Sequence, residues 1–195
     1  SLGLIGESAV FAMQKFLNET ARHGNLNMSD SDEATFLNSL RLKIAHLLKA
    51  QVEHIAIISS ASEILSQLPS LIDPKKGDEI ILVSIDFPSI TRPWIAYSRK
   101  KNINLIFVNE YVNKNLTEQI VENINEKTSA VCVSLVQFSS GTYLDISKLR
   151  SATEKFGVKL VIDITQAAGA VPLSVKSLKA DLVVCSGYKW LGGHG

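Results

Sequence analysis

Residues 158–189 read VKLVIDITQAAGAVPLSVKSLKADLVVCSGYK, and their pattern decides the fold. Two runs in it, VKLVIDI (158–164) and DLVVCS (181–186), are continuously apolar rather than alternating. A strand with one wet face alternates apolar and polar residues, whereas a strand covered on both faces has no reason to. Each run also stops on residues with chemistry: Asp163 closes the first, and Ser186 leads to Lys189 after the second.

Working outward, the same grammar extends upstream. HIAIIS (54–59), DEIILVS (78–84), NLIFVN (104–109) and SAVCVSLV (129–136) read as strands. Between them SASEILSQLPSLI (60–72), SITRPWIAYSRKK (89–101), LTEQIVENI (116–124) and DISKLRSATEKFG (145–157) read as helices. Pro93 is expected to kink the second of these or delay its start, and Gly157 to close the last. Strands that alternate with helices form a mostly parallel sheet with helices on both faces, a three-layer α/β sandwich. Residues 7–22 and 32–50 read as two further helices, the second with Phe36, Leu37, Leu40, Ile44, Leu47 and Leu48 at helical spacing behind a cap at Asp30 or Ser31. Residues 1–50 therefore form a helical lead-in, and 51–195 the α/β domain, with no linker or repeat inside it.

Composition narrows the function. Of 195 residues, 46% are hydrophobic and 20% charged, enough apolar material for a core. Lys+Arg 20 against Asp+Glu 19 gives a net charge of +1 without a basic tract, which argues against a nucleic-acid or membrane-surface partner. No run approaches the about 20 apolar residues that span a bilayer. Glu7 inside the apolar opening, with no basic leader, argues against a secretory signal. Cys132 and Cys185 sit in strand runs and read as buried core thiols, which fits a cytoplasmic location. The ending Gly-Gly-His-Gly reads as an odd terminus for a finished domain, so the chain is expected to be incomplete at its C-terminus.

Open α/β sheets gather ligands at the carboxyl ends of their strands. That edge offers four complementary groups. Small residues opening a helix at Ala61 and Ser62 leave N–H groups for a phosphate. Asp163, at the end of an apolar strand, needs a cationic partner. Lys189 is an amine that partial burial makes nucleophilic. Phe87 supplies a flat face, and Gln137 reads as a satisfied loop amide. Phosphate, cationic ring nitrogen, electrophilic carbon and aromatic plane are the parts of pyridoxal 5'-phosphate (PLP). No metal-ligand set stands out.

The residues Asp163-x-x-Gln166 followed by Asp181-x4-Ser186-x2-Lys189, with SSASE (59–63), IDFPS (85–89) and VQFSSGTYLDI (136–146) in order, resemble the class V aminotransferase group of fold-type I PLP enzymes. The resemblance implies the large domain of the aspartate aminotransferase-like PLP-dependent transferase fold, with the small C-terminal domain and its substrate-carboxylate Arg absent. It implies Lys189 as the Schiff-base lysine and acid/base, Asp163 on the pyridinium nitrogen and Gln166 on the phenolic oxygen. Ser186, Tyr188, Ala61 and Ser62 would hold the phosphate, and Phe87 would stack on the ring. A homodimer and a small amino-acid substrate follow in the same way.

Cysteine desulfurases and selenocysteine lyases of the group carry His at the stacking position and usually at the position of Tyr188. Phe87-Pro88-Ser89 looks more like the kynureninase, epimerase and aminotransferase side. The reading is therefore a class V aminotransferase-like enzyme, with a desulfurase-like or kynureninase-like lyase as alternative. Outside enzymes, a receiver-like signalling domain places similar residues but needs an acidic pair where this chain has Ser59-Ser60, and a catalytically silent fragment is the other alternative.

Overall fold

The computed structural model describes residues 3–193. His194 and Gly195, part of the terminal Gly-Gly-His-Gly reading, lie outside the described residues.

Five strands form one all-parallel sheet: β1 (Glu79–Val83), β2 (Asn104–Val108), β3 (Thr128–Ser134), β4 (Lys159–Asp163) and β5 (Leu182–Val184), in the order β2-β1-β3-β4-β5. Successive side chains of a strand point to opposite faces, and the core divides accordingly. Ile81, Val83, Val131, Val133, Leu160 and Ile162 join one buried cluster with Ile120 of α6 (Leu116–Glu122), Leu149 of α7 (Ile146–Phe156) and Leu178 of α8 (Val175–Leu178). Ile80, Leu82, Ala130, Cys132 and Val161 join the other, with Leu65 and Leu68 of α4 (Ala61–Ile72) and Ile90 and Trp94 of α5 (Pro88–Lys101). Both faces of β1, β3 and β4 are dry, which is why these runs carry no alternation, whereas the edge strand β2 leaves Asn104 and Phe107 exposed. The result is the expected three-layer α/β sandwich.

Local chemistry sets the helix ends. The Ser60 side chain caps α4 by accepting the Glu63 N–H, and Asp145 caps α7 by accepting the Lys148 N–H. Gly157 ends α7 at φ 68°, the left-handed region that glycine enters without a Cβ penalty.

Several expectations are corrected. HIAIIS (54–59) is not a strand: a 3-10 turn spans Val52–His54, and no strand follows it in this segment. A strand exists by pairing, and none of the sheet's ladders includes this segment; Ile55–Ile58 instead line a cavity together with Val183 of β5. The helix expected over 32–50 is two, α2 (Asp30–Thr35) and α3 (Asn38–Leu48). Its start is capped by Ser29 in a reciprocal capping box with Asp32, not by Asp30 or Ser31. The chain breaks at Phe36, whose ring meets Phe16 of α1 (Glu7–His23) at 5.9 Å. Pro93 does not delay α5, which starts at Pro88; its fixed φ suits the first helical position. The short α8 had no periodic signal. Of the lead-in helices, α1 and α2 bury no residue, while α3 buries Ala45 and Leu48.

Candidate active site

The register of the sheet builds the site. Ser134 of β3 pairs with Asp163 of β4, which pairs with Val184 of β5, so three carboxyl ends finish in one row. Beyond that row lies a cavity of about 540 Å³. All eight residues anticipated from the sequence line it: Ala61, Ser62, Phe87, Asp163, Gln166, Ser186, Tyr188 and Lys189.

Each is held by a local device. Asp163 is buried, and its Oδ1 accepts the Thr165 N–H at 2.7 Å. Thr165 Oγ1 accepts the Ser186 N–H at 2.9 Å, which ties the end of β4 to the turn after β5. Trp190 Nε1 donates to the Gln166 carbonyl at 2.8 Å, and Gly3 N–H donates to the Tyr188 carbonyl at 2.8 Å, so Lys189 is anchored on both sides. Lys189 Nζ sits 5.7 Å from the centroid of the Phe87 ring. The Phe138 ring meets Phe87 edge-on at 5.4 Å. At the start of α4, Glu63 N–H is taken by Ser60, while the N–H groups of Ala61 and Ser62 precede the first intrahelical bond and remain for an anion. Ser62 Oγ and Ser89 Oγ are 2.8 Å apart, linking the first turns of α4 and α5.

Electrostatics follow from burial. Burial pushes the Asp163 carboxyl above the ordinary value; the bonds from Thr165 pull it down, the Asp86 charge adds to the rise, and Lys189 opposes it. Burial pushes the Lys189 ammonium below the ordinary lysine value, against the pull of Asp163. A carboxylate short of a cation and an amine poised toward its neutral form face one cavity. The residues therefore fit a group with a cationic ring nitrogen, an electrophilic carbon and an anionic end.

The two thiols differ from each other. Cys132 is fully buried, as expected, and burial pushes it up to about 12. Cys185, also expected in the core, is only partly buried and lines the cavity; burial first and the Asp163 charge second push it up to about 12, so it stays protonated.

Sequence reading missed Asp86, Ser134, Thr165 and Gly3. Gln137, expected as a satisfied loop amide, is fully buried; its Nε2 donates to Asp86 while its Oε1 lacks a partner among the described residues. The only signal for Thr165 was its place two residues after Asp163, and Gly3 gave none, because its partner lies at the far end of the chain.

The family model "Aminotransferase class-V" matches residues 5–195. The chain belongs to the class-V aminotransferase family. That membership sets aside the receiver-like alternative. Over 193 residues the chain is 24% identical to an uncharacterized aminotransferase, YcbU, of Bacillus subtilis, covering 99% of this chain and 50% of that protein. It is 28% identical over 151 residues to a probable cysteine desulfurase of Pyrococcus abyssi, covering 76% of this chain and 38% of the relative. Among solved structures, a C-DES mutant with glycine covalently linked to its PLP cofactor superposes with a TM-score of 0.89 at 19% identity, over 99% of this chain and 52% of that one. At that identity the likeness speaks for the fold. This class-V chain thus spans half or less of the length of these two curated relatives.

Proposed function

We propose that this chain is the cofactor-binding domain of a PLP-dependent enzyme acting on the α-amino group of a small amino acid, in the manner of a class-V aminotransferase. The observation that carries the reading is the meeting of Lys189 and Asp163 on one cavity with the Phe87 ring 5.7 Å from the amine. Bound PLP supplies an electron sink for bonds at the substrate's α-carbon. Lys189 Nζ, partly relieved of its charge by burial, would hold the cofactor and is the base placed to take a proton from the substrate's α-carbon. Asp163, held by Thr165, would pair with the ring nitrogen and favour its protonated form. Phe87 would bound one ring face, Gln166 would meet the phenolic oxygen, and the Ala61 and Ser62 N–H groups with Ser186 and Tyr188 would hold the phosphate.

A C–S lyase of the desulfurase kind is the second reading, supported by the cysteine desulfurases among the relatives. Against it stands Phe87, which has no proton to give where an imidazole would. Residues 51–195 make the cofactor domain in this proposal, with 1–50 as its lead-in. The exposed Phe11, Phe16 and Leu17 of α1 support a homodimer that covers them. No helix among the described residues is long and apolar enough to cross a membrane. Two free thiols suit a cytoplasmic setting.

The test is direct. The purified chain mixed with PLP should turn yellow, and borohydride should fix the cofactor mass on the Lys189 peptide. Lys189→Ala should lose that adduct. An unmodified Lys189 in PLP-saturated, reduced protein would overturn the assignment.

A further inference from the structure

Asp86 is a buried carboxylate that the roles above leave unused. It stands in the turn between β1 and α5, immediately before Phe87. Its Oδ1 accepts the Phe87 N–H at 2.7 Å and the Ser134 hydroxyl at 2.6 Å. Its Oδ2 accepts the Ser134 N–H at 2.8 Å and Gln137 Nε2 at 3.2 Å. Every contact is a donor, and no ion pair reaches Asp86 among the described residues.

Burying a carboxylate without a counter-charge is costly, and a plain turn needs a single acceptor that Asn or Ser could provide. Four donors converging on two oxygens do something more specific. They lock three chain segments together: the turn that carries Phe87, the end of β3, and the loop after β3. Ser134 is also the register partner of Asp163, and the Leu135 N–H donates to the Asp163 carbonyl at 2.9 Å. The carboxylate thus sits where the ring face and the ring-nitrogen partner are set relative to each other. Its charge is also felt at Asp163.

We propose that Asp86 is a positioning residue of the cofactor site, which holds the Phe87 ring opposite Lys189 by fixing Phe87 N–H, Ser134 and Gln137 on one carboxylate. The proposal rests on the cofactor reading above. It goes beyond that reading because Asp86 is not among the residues that line the cavity.

The experiment is a double-mutant cycle on the whole chain: wild type, Asp86→Asn, Phe87→Ala and the double variant, each titrated with PLP. Absorbance gives the affinity, and the induced circular dichroism of the cofactor band reports how the ring is held. An amide turns one donor toward the N–H groups it should accept, so Asp86→Asn should weaken PLP binding about tenfold and reduce the induced signal. In the Phe87→Ala background the same change should weaken it by less than about twofold, since the ring to be positioned is gone. Wild-type affinity and signal in Asp86→Asn would overturn the proposal. So would an equal loss in both backgrounds, which marks a general structural effect. Should Asp86→Asn not fold, Ser134→Ala removes one donor and keeps the carboxylate; about threefold weaker binding supports the proposal, and unchanged binding overturns it. Failure of the cofactor reading itself shows earlier and separately, as wild-type protein that takes up no PLP.

Discussion

Replacing Asp163 by Asn should stabilise the chain without cofactor while weakening the cofactor site. Asp163 is 6% exposed, and the closest donor to its carboxylate is the Thr165 N–H at 2.7 Å on Oδ1. Asn keeps the shape and the Oδ1 acceptor but removes the charge. A buried carboxylate costs several kcal/mol after relaxation, and hydrogen bonds to a charged group return about 1.5–3 kcal/mol. With Lys189 opposing part of the rest, a net cost of about 2 kcal/mol remains for Asn to relieve. In a chain of this size that is a rise in Tm of roughly 4–8 °C.

The pH dependence fixes the mechanism. Burial holds the folded-state carboxyl above its ordinary 3.8, so between the two values the native state binds more protons than the unfolded one. The contribution of Asp163 to stability is therefore intact below 3.8 and lost as pH rises through the folded-state value. The advantage of Asn should be near zero below pH 3.8 and grow as pH rises through the folded-state value. Thermal melts of both proteins across that range, without PLP, measure it. PLP affinity should move the other way, falling about tenfold or more, because the charged partner of the ring nitrogen is gone. An Asn variant no more stable than wild type at pH 8, or an advantage that shrinks as pH rises, would refute the reasoning.

Two further outcomes follow from the lysine segment. Trace acylation of the chain without cofactor should show Lys189 reacting at lower pH than the surface lysines, whose ordinary value is about 10.4, because burial favours the neutral amine. Asp163→Asn should lower that midpoint further, since Asp163 is the opposing influence; a Lys189 that titrates with the surface lysines contradicts this. Gly3→Ala should loosen the same segment, because a Cβ there would overlap the Lys189 carbonyl oxygen and come within 3.1 Å of the Tyr188 carbonyl oxygen. Losing the Gly3–Tyr188 hydrogen bond should speed amide exchange over residues 187–193 about fivefold, read by mass spectrometry.

Asp163 and Lys189 show how much was legible in the chain. Their strands are apolar without interruption, so both faces had to be covered, and a parallel sheet then puts both residues on one edge. The resemblance carried by the same segment also pointed to Gln166 and Ser186, and both line the cavity. Ala61 and Ser62 followed from a strand-to-helix pattern, although the strand before them is absent. The Ile55–Ile58 stretch has strand residues, but a strand also needs a partner's backbone, and no local pattern reports whether one is there.

Sequence by itself determined the layers and the edge on which Asp163 and Lys189 stand, because burial on two faces and strand-end position are local properties of the chain. Tertiary structure alone decided that Ser134 and Gln137 share the Asp86 carboxylate, that Gly3 braces Tyr188, and in which direction burial shifts Asp163 and Lys189. Those are distances between segments 48 to 185 residues apart, and hydrogen bonds and desolvation depend on distance in space, which sequence spacing does not encode.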